Sequence, residues 1–309
     1  MTQKILYVLN PKANDGQAIF EWKTAVNRFP TLPKDPLDIT RVGNLTKHIE
    51  KYDPDIIAIA GGDGTINAIC RAIISLKKKP LLSILPLGHG NGLSYCFGVE
   101  TLSKAIDVLH GKSESIAIDV MKTNDSTYPY GVFNISVGFD AKVIHNSVNH
   151  RYIGVKSYVL SLIRSVIDHQ ENEIKFTIDH SITFNATASS LVIANCPIIP
   201  VFPVGNLGKD YVISQYAKLN DGFLDCTLFS SKYAYMSNLR FKGFKHPLYS
   251  EKGKVHFKAK HIKIEGEPFV QIDGDPVLQK EGLEIEVVPS AVTFLRNKTI
   301  PKDYMSFIA

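Results

Sequence analysis

The stretch Asp55-Ile56-Ile57-Ala58-Ile59-Ala60-Gly61-Gly62-Asp63-Gly64-Thr65-Ile66-Asn67 decides the fold of the first part of this 309-residue chain. Its isoleucines and alanines form a short, nearly continuous apolar run, the pattern of a parallel strand buried on both faces. Gly61, Gly62 and Gly64 then permit a sharp turn and a close approach of backbone to ligand. From Thr65 onward, Ile66, Ile69, Ile73 and Leu76 recur at helical spacing. A glycine turn at a helix N-terminus presents backbone N–H groups to an anion, usually a phosphate. Asp63 is the anomaly, since a carboxylate repels phosphate unless a metal ion or a reactive proton accounts for it. A tight turn without any ligand is the other reading of the same glycines.

The same unit recurs on both sides of this stretch. Lys4–Leu9 reads as a strand, Asn10–Gly16 as a polar turn, and Ile19, Trp22, Val26 and Phe29 as one face of a helix. Leu37–Val42 predicts a second strand and Thr46–Tyr52 a helix. Leu81–Leu85 predicts a further strand, ending in Pro86-Leu87-Gly88-His89-Gly90-Asn91-Gly92 and followed by a helix. Repeated strand–helix units imply a parallel sheet with right-handed crossovers. In such sheets the ligand sits beyond the carboxyl ends of the strands. The turns at 10–16, 61–65 and 88–92 all follow strands, so they are expected to meet at one edge.

Beyond about residue 125 the texture changes to strands between turns. Tyr130–Val137, Ile174–Ile178, Ser189–Ala194, Leu224–Phe229, Lys254–Phe257 and Leu283–Val288 predict an antiparallel β-domain. Lys156–His169 is the helical exception. Its broad apolar face suits core packing, with a lipid-facing wall as the functional alternative.

At 44% hydrophobic and 21% charged residues, the composition is that of a globular protein with room for one large or two medium domains. No apolar run reaches the length of a membrane span and no signal-peptide pattern opens the chain, so a cytoplasmic protein is expected. Cys70, Cys96, Cys196 and Cys226 are scattered without metal-type spacing and read as reduced, mostly buried thiols. A net charge of +5 is too small to argue for nucleic acid, but it suits visits to anionic surfaces or phosphates. Residues 240–263 hold eight Lys/Arg against one acid, Glu251, with Phe241, Phe244, Tyr249 and Phe257 interleaved. A solvated basic face and a transient dock on an anionic membrane surface are both open for that run. Nucleic acid is not expected, because no recognised module accompanies it.

Four segments together resemble the lipid kinase family of diacylglycerol kinases, sphingosine kinases and their bacterial relatives. They are Asn10-Pro11, Gly61–Asn67, Pro86–Asn91, and Ala217–Asp225 paired with Asp273-Gly274-Asp275-Pro276. Phe133-Asn134 and Gly138-Phe139-Asp140-Ala141 match in type and position, so the resemblance covers nearly the whole chain in order. It implies a Rossmann-like parallel α/β nucleotide-binding domain over residues 1–125 and an antiparallel β-sandwich lipid-binding domain over 126–292. A tail, 293–309, is open to returning to the first domain, and the active site is expected in the cleft between the domains. The implied reaction transfers the γ-phosphoryl group of ATP to a lipid hydroxyl, on diacylglycerol or a sphingoid base, with Mg²⁺.

On that resemblance Asn10, Gly61, Gly62, Gly64, Thr65, Asn67, Gly88 and Asn91 bind the nucleotide. Asp63, Asp273 and Asp275 are the catalytic candidates. Asp63 holds Mg²⁺ through water or accepts the alcohol proton, while Asp273 and Asp275 form a later acidic pair, favoured for the proton. Asp221 either belongs to a second, structural metal site, as in bacterial relatives, or simply closes a β-hairpin turn.

The chain departs from the family pattern at several points. Ala68 stands where Glu is frequent, His89 where Thr or Ser is common, Gly92 where bacterial members carry Asp, and Asp275 where Glu is usual. A shorter carboxylate can misplace charge by about an ångström, a shift that can cost about 10²-fold in rate. Two rivals therefore stand beside the lipid kinase: an NAD kinase-like small-molecule kinase, and a catalytically inactive lipid- or nucleotide-binding protein on the same fold. The expected partners are a lipid substrate and a transient anionic membrane surface, with peripheral membrane association. A homodimer stays open.

Overall fold

The computed structural model describes residues 3–88, 91–148, 164–199, 210–212, 214, 216–237, 239–240, 252–279 and 281–299. The chain divides into two compact units. The first is Met1–Ile118 and resumes at Ser290; the second is Asp119–Pro289.

In the first unit the wholly buried strand Ile56–Gly61 lies between Ile5–Leu9 and Leu81–Pro86, all parallel. Ile5 and Leu81 both stand opposite Ile56, so the strands end together at their carboxyl edge. Helices Ala18–Arg28, Leu45–Tyr52, Asp63–Ile73 and Leu102–Leu109 accompany the strands, each with an apolar face. Ile66, Ile69 and Ile73 are buried, as their spacing predicts, and so is Trp22. Phe294, in the final strand Leu283–Asn297, pairs in parallel with Leu82.

One predicted strand is cut short. Only Leu37–Asp38 pairs with the sheet, and Ile39–Arg41 curls into a 3₁₀ turn. The cause is local: the Asp38 carboxylate accepts from Thr40 N at 2.9 Å and from Thr40 Oγ1 at 2.7 Å. A short polar side chain bonded to the backbone just ahead of it competes with the sheet ladder.

The second unit is built on antiparallel sheets. One runs in the order Lys254–Ala259, Leu224–Phe229, Ser190–Ala194, Asn134–Gly138, Phe269–Ile272, Asp275–Leu278. The other contains Ile182–Ala188, Asn172–Ile178, His261–Glu265 and the start of Leu283–Asn297. Ile135, Val137, Leu191, Ile193, Leu224 and Ile272 of the first share one buried core with Phe176, Ile262, Ile264 and Ile285 of the second. That shared core makes the pair a sandwich. The fold class is the one the sequence predicts: a parallel α/β unit followed by an antiparallel β-sandwich.

Helix Phe139–Val148 covers the outer face of the first sandwich sheet, where Phe139 and Val143 meet Val192, Phe229 and Tyr235. It starts directly after Gly138, at φ 82°, where a Cβ would lie 2.3 Å from Ser189 O. Only glycine permits the chain to leave the strand there. Residues 156–163 of the predicted helix Lys156–His169 lie outside the described residues, as do residues 241–251 of the basic run 240–263. Among the described residues no helix is long and apolar enough to cross a membrane. Cys70 and Cys226 are free, buried thiols.

Candidate functional site

Strand ends of the first unit are knitted into one surface by short polar contacts. The Asn10 backbone donates to Ala60 O at 3.0 Å, and its side chain donates to Thr65 Oγ1, also at 3.0 Å. Leu87 N donates to Gly61 O at 3.1 Å. Gly62 and Gly88 pack backbone on backbone, and a Cβ on Gly88 would lie 2.3 Å from Gly62 Cα. A Cβ on Gly61 would lie 2.5 Å from Thr65 Oγ1, so glycine there makes room for the hydroxyl. Asn10, Gly61, Gly62, Thr65 and Gly88 are thus brought together.

Asn91 shapes its own turn. It adopts φ 52°, its Oδ1 accepts from Gly88 N at 2.9 Å, and its Nδ2 donates to Gly88 O at 2.6 Å. Asn67 is buried on helix Asp63–Ile73, while Gly64 is exposed with open space above it. His89 and Gly90 lie outside the described residues.

Asp63 opens that helix, but its carboxylate serves the next turn. Oδ2 accepts from Gly92 N and Oδ1 from Leu93 N, both at 3.0 Å. These are the first amides of helix Gly92–Cys96, so Asp63 acts as its cap from a distance in sequence. Burial pushes the carboxyl above the usual carboxylate range, and the Leu93 and Gly92 amides pull it back. Two backbone donors therefore account for the carboxylate that looked anomalous in the sequence. The Asp63–Ile73 helix itself has Gly62 at its N-cap and no side-chain cap; Thr65 N and Ile66 N donate to Gly62 O at 2.9 and 3.1 Å, which leaves the Gly64 amide to an outside acceptor.

In the second unit Asp273 and Gly274, at φ 52° and 86°, form the two-residue connection between Phe269–Ile272 and Asp275–Leu278. The Asp273 carboxylate draws in a neighbouring segment. Oδ2 accepts from Val132 N at 2.7 Å, and Oδ1 from Phe133 N at 2.8 Å and Asn134 N at 2.9 Å. Asp275 is half-buried at the start of its strand, opposite Ile272.

Behind this turn lies a buried polar network that sequence reasoning missed. Gln271 donates to Asn134 Oδ1 and, at 3.0 Å, to Ser136 Oγ, while its Oε1 accepts from Gly274 N at 2.7 Å. Asp140 accepts from the Ser136 and Tyr235 hydroxyls. Burial pushes the Asp140 carboxyl upward, against the lowering effect of the Ser136, Tyr235 and Gln271 bonds. A signal was available. Asn134 and Ser136 are polar residues two apart, on one face of a strand that is otherwise apolar, and Gln271 stands opposite Ser136.

Asp221 lies in the turn before Leu224–Phe229. Its Oδ1 accepts from Phe223 N at 3.2 Å, and its Oδ2 is bonded by Lys258 Nζ. Among the described residues no three His, Cys, Asp or Glu side chains are grouped to hold a metal ion.

Comparison with known proteins agrees with this architecture. Residues 4–123 match the diacylglycerol kinase catalytic domain, and residues 133–296 match the YegS C-terminal NAD kinase beta sandwich-like domain. A Staphylococcus haemolyticus protein named "Putative lipid kinase" is 26% identical over 266 residues, covering 82% of each chain. A protein of the same name from Staphylococcus aureus strain JH9 is 24% identical over 258 residues, covering 81% of this chain and 79% of that one. A crystal structure titled as a "putative diacylglycerol kinase" from Bacillus anthracis shares the fold, with a TM-score of 0.74, 24% identity and 97% of both chains covered. With both domains matched in order, the chain belongs to the lipid kinase family that joins a diacylglycerol kinase catalytic domain to a YegS-type β-sandwich domain.

Proposed function

We propose that this protein transfers the γ-phosphoryl group of ATP to the hydroxyl of a membrane lipid, diacylglycerol or a sphingoid base. The observation that carries this reading is the knitted glycine surface of the first unit. Phosphoryl transfer demands positioning and charge neutralisation more than covalent chemistry from the protein. An uncapped helix end at Gly62, the open space over Gly64 and the Thr65 hydroxyl held by Asn10 suit phosphate oxygens. Asn67 and Asn91 add neutral polar groups at the same edge without further charge.

Mg²⁺ belongs with the nucleotide in this reading, since it prefers phosphate oxygens and waters plus one or two carboxylates. When bound, it neutralises charge developing on the transferred group. Asp63 is the residue of the first unit that would hold it, each of its carboxylate oxygens keeping a lone pair beyond its amide bond. For the lipid hydroxyl proton Asp275 is the better acceptor of the later pair, because protonating Asp273 would weaken its bonds to Val132, Phe133 and Asn134. Asp63 is the other candidate. A cytoplasmic protein that visits anionic membrane through its basic run completes the picture.

One specific observation favours a second reading, a binding protein without catalysis: Asp63 and Asp273 are both engaged by backbone amides. Radiolabelled ATP offered with diacylglycerol, sphingosine, ceramide, phosphatidylglycerol and NAD⁺ separates the possibilities. Label in the lipid extract supports the proposal, label in NADP⁺ an NAD kinase-like activity, and bound lipid without label the binding protein.

A further inference from the structure

The turn leading into strand Leu224–Phe229 concentrates carboxylates, and each already has partners. Asp119 Oδ2 accepts from Gly222 N at 2.7 Å, and Asp119 N donates to Leu219 O at 2.7 Å. Asp225 Oδ2 accepts from Lys218 N at 3.0 Å. The charge left on Asp221 and Asp225 is met by one ammonium. Lys258 Nζ is bonded to Asp221 Oδ2 and lies 3.2 Å from Asp225 Oδ1.

Strand register places that ammonium. Lys258 stands directly opposite Asp225 across the antiparallel pair Leu224–Phe229 and Lys254–Ala259, so the two side chains share a face. Nζ also lies 5.8 Å from the centre of the Phe223 ring, which favours a cation there. Burial alone would lower the basicity of Lys258, yet its bonds to Asp221 and Asp225 leave it raised, so the group stays charged. The Asp225 side chain is only 3% exposed, a position where an uncompensated charge is costly.

We propose that Lys258 is the resident cation of this turn, cross-linking Asp221 and Asp225, so that Asp221 does not serve as a ligand of the structural metal ion that the family resemblance assigns to it. A divalent ion at Asp221 would have to displace the ammonium or sit against its charge.

The test reads the unfolding midpoint of the nucleotide-free full chain in EDTA and in millimolar Mg²⁺. The wild-type midpoint is expected to be the same in both. Lys258→Met is expected to lower it by a few degrees, to let Mg²⁺ raise it again, and to lose that response when combined with Asp221→Asn. Lys258→Arg, which keeps the cation, is expected to stay within about a degree of wild type. A Mg²⁺-dependent rise of the wild-type midpoint that Asp221→Asn abolishes would overturn the proposal. An unchanged midpoint in Lys258→Met would overturn it too. If Lys258→Met does not fold, the wild-type and Asp221→Asn measurements decide alone. The readout involves neither nucleotide nor turnover, so this proposal and the kinase reading fail separately.

Discussion

At Gly61-Gly62-Asp63-Gly64 the glycines strip away side chains so that backbone meets backbone, Gly62 against Gly88. The helix that follows has no side-chain cap at Gly62. At Asp273-Gly274 the glycine closes a hairpin instead, and the aspartate gathers the amides of Val132, Phe133 and Asn134 onto itself. Both turns pair aspartate with glycine and both aspartates hold remote amides, yet one turn opens a helix without a side-chain cap while the other closes a hairpin. The dipeptide does not decide which.

Gly88→Ala should break the contrast most severely. Its Cβ would meet backbone, which cannot swing aside as a side chain does, so the turns must part. An ångström-scale displacement of the phosphate donors predicts a loss of roughly 10²-fold in turnover or ATP affinity. Titration calorimetry with ATP checks this, and affinity close to wild type would show that the glycine surface is not the nucleotide site.

Asp273→Ala tests the other side. Three amides lose a charged acceptor, predicting a destabilisation of roughly 2–4 kcal/mol in urea unfolding. Lost activity with unchanged stability would instead mark Asp273 as chemical rather than structural.

Asp63→Asn sits between these extremes. One of its two amide bonds is replaced by a donor facing a donor, which predicts about 1–3 kcal/mol of local loosening. Faster hydrogen exchange at Gly92 or Leu93 would report it. That variant therefore disturbs the turn as well as any role in proton transfer, and the exchange rates separate the two.

The smallest expected effect is at Asp140. Burial raises its carboxyl pKa, so the folded chain holds that proton more tightly than the unfolded chain does. Its contribution to stability is fullest below the unfolded carboxylate range, near pH 4, and is lost as pH rises through the raised folded value. Asp140→Asn should flatten that decline in a pH series of unfolding free energies. An identical slope in wild type and variant would remove Asp140 from the pH dependence.

Much of the fold was legible because it depends on periodicity. The Ile56–Gly61 strand, the Ile66-Ile69-Ile73 helix face and most sandwich strands follow directly from where apolar residues recur. What escaped was set by single polar atoms. Asp38 capping Thr40 ended a strand that its apolar pattern would have extended. Gly138 beside Ser189 turned a strand into a helix whose own amphipathic signal is weak.

For the candidate site the division is similar. The sequence alone determined that glycine turns would gather at strand ends, because parallel strands of similar register must end together. It also located the carboxylates at positions 63, 221, 273 and 275. Only the tertiary structure decided what those carboxylates do. Asp63 finds the amides of Gly92 and Leu93, Asp273 those of Val132 to Asn134, and Asp221 the ammonium of Lys258. Each of these partners is remote along the chain and reaches its carboxylate through strand pairing or turn packing. Hydrogen bonds and ion pairs act over about 3–4 Å, and which groups come that close is a property of the folded chain.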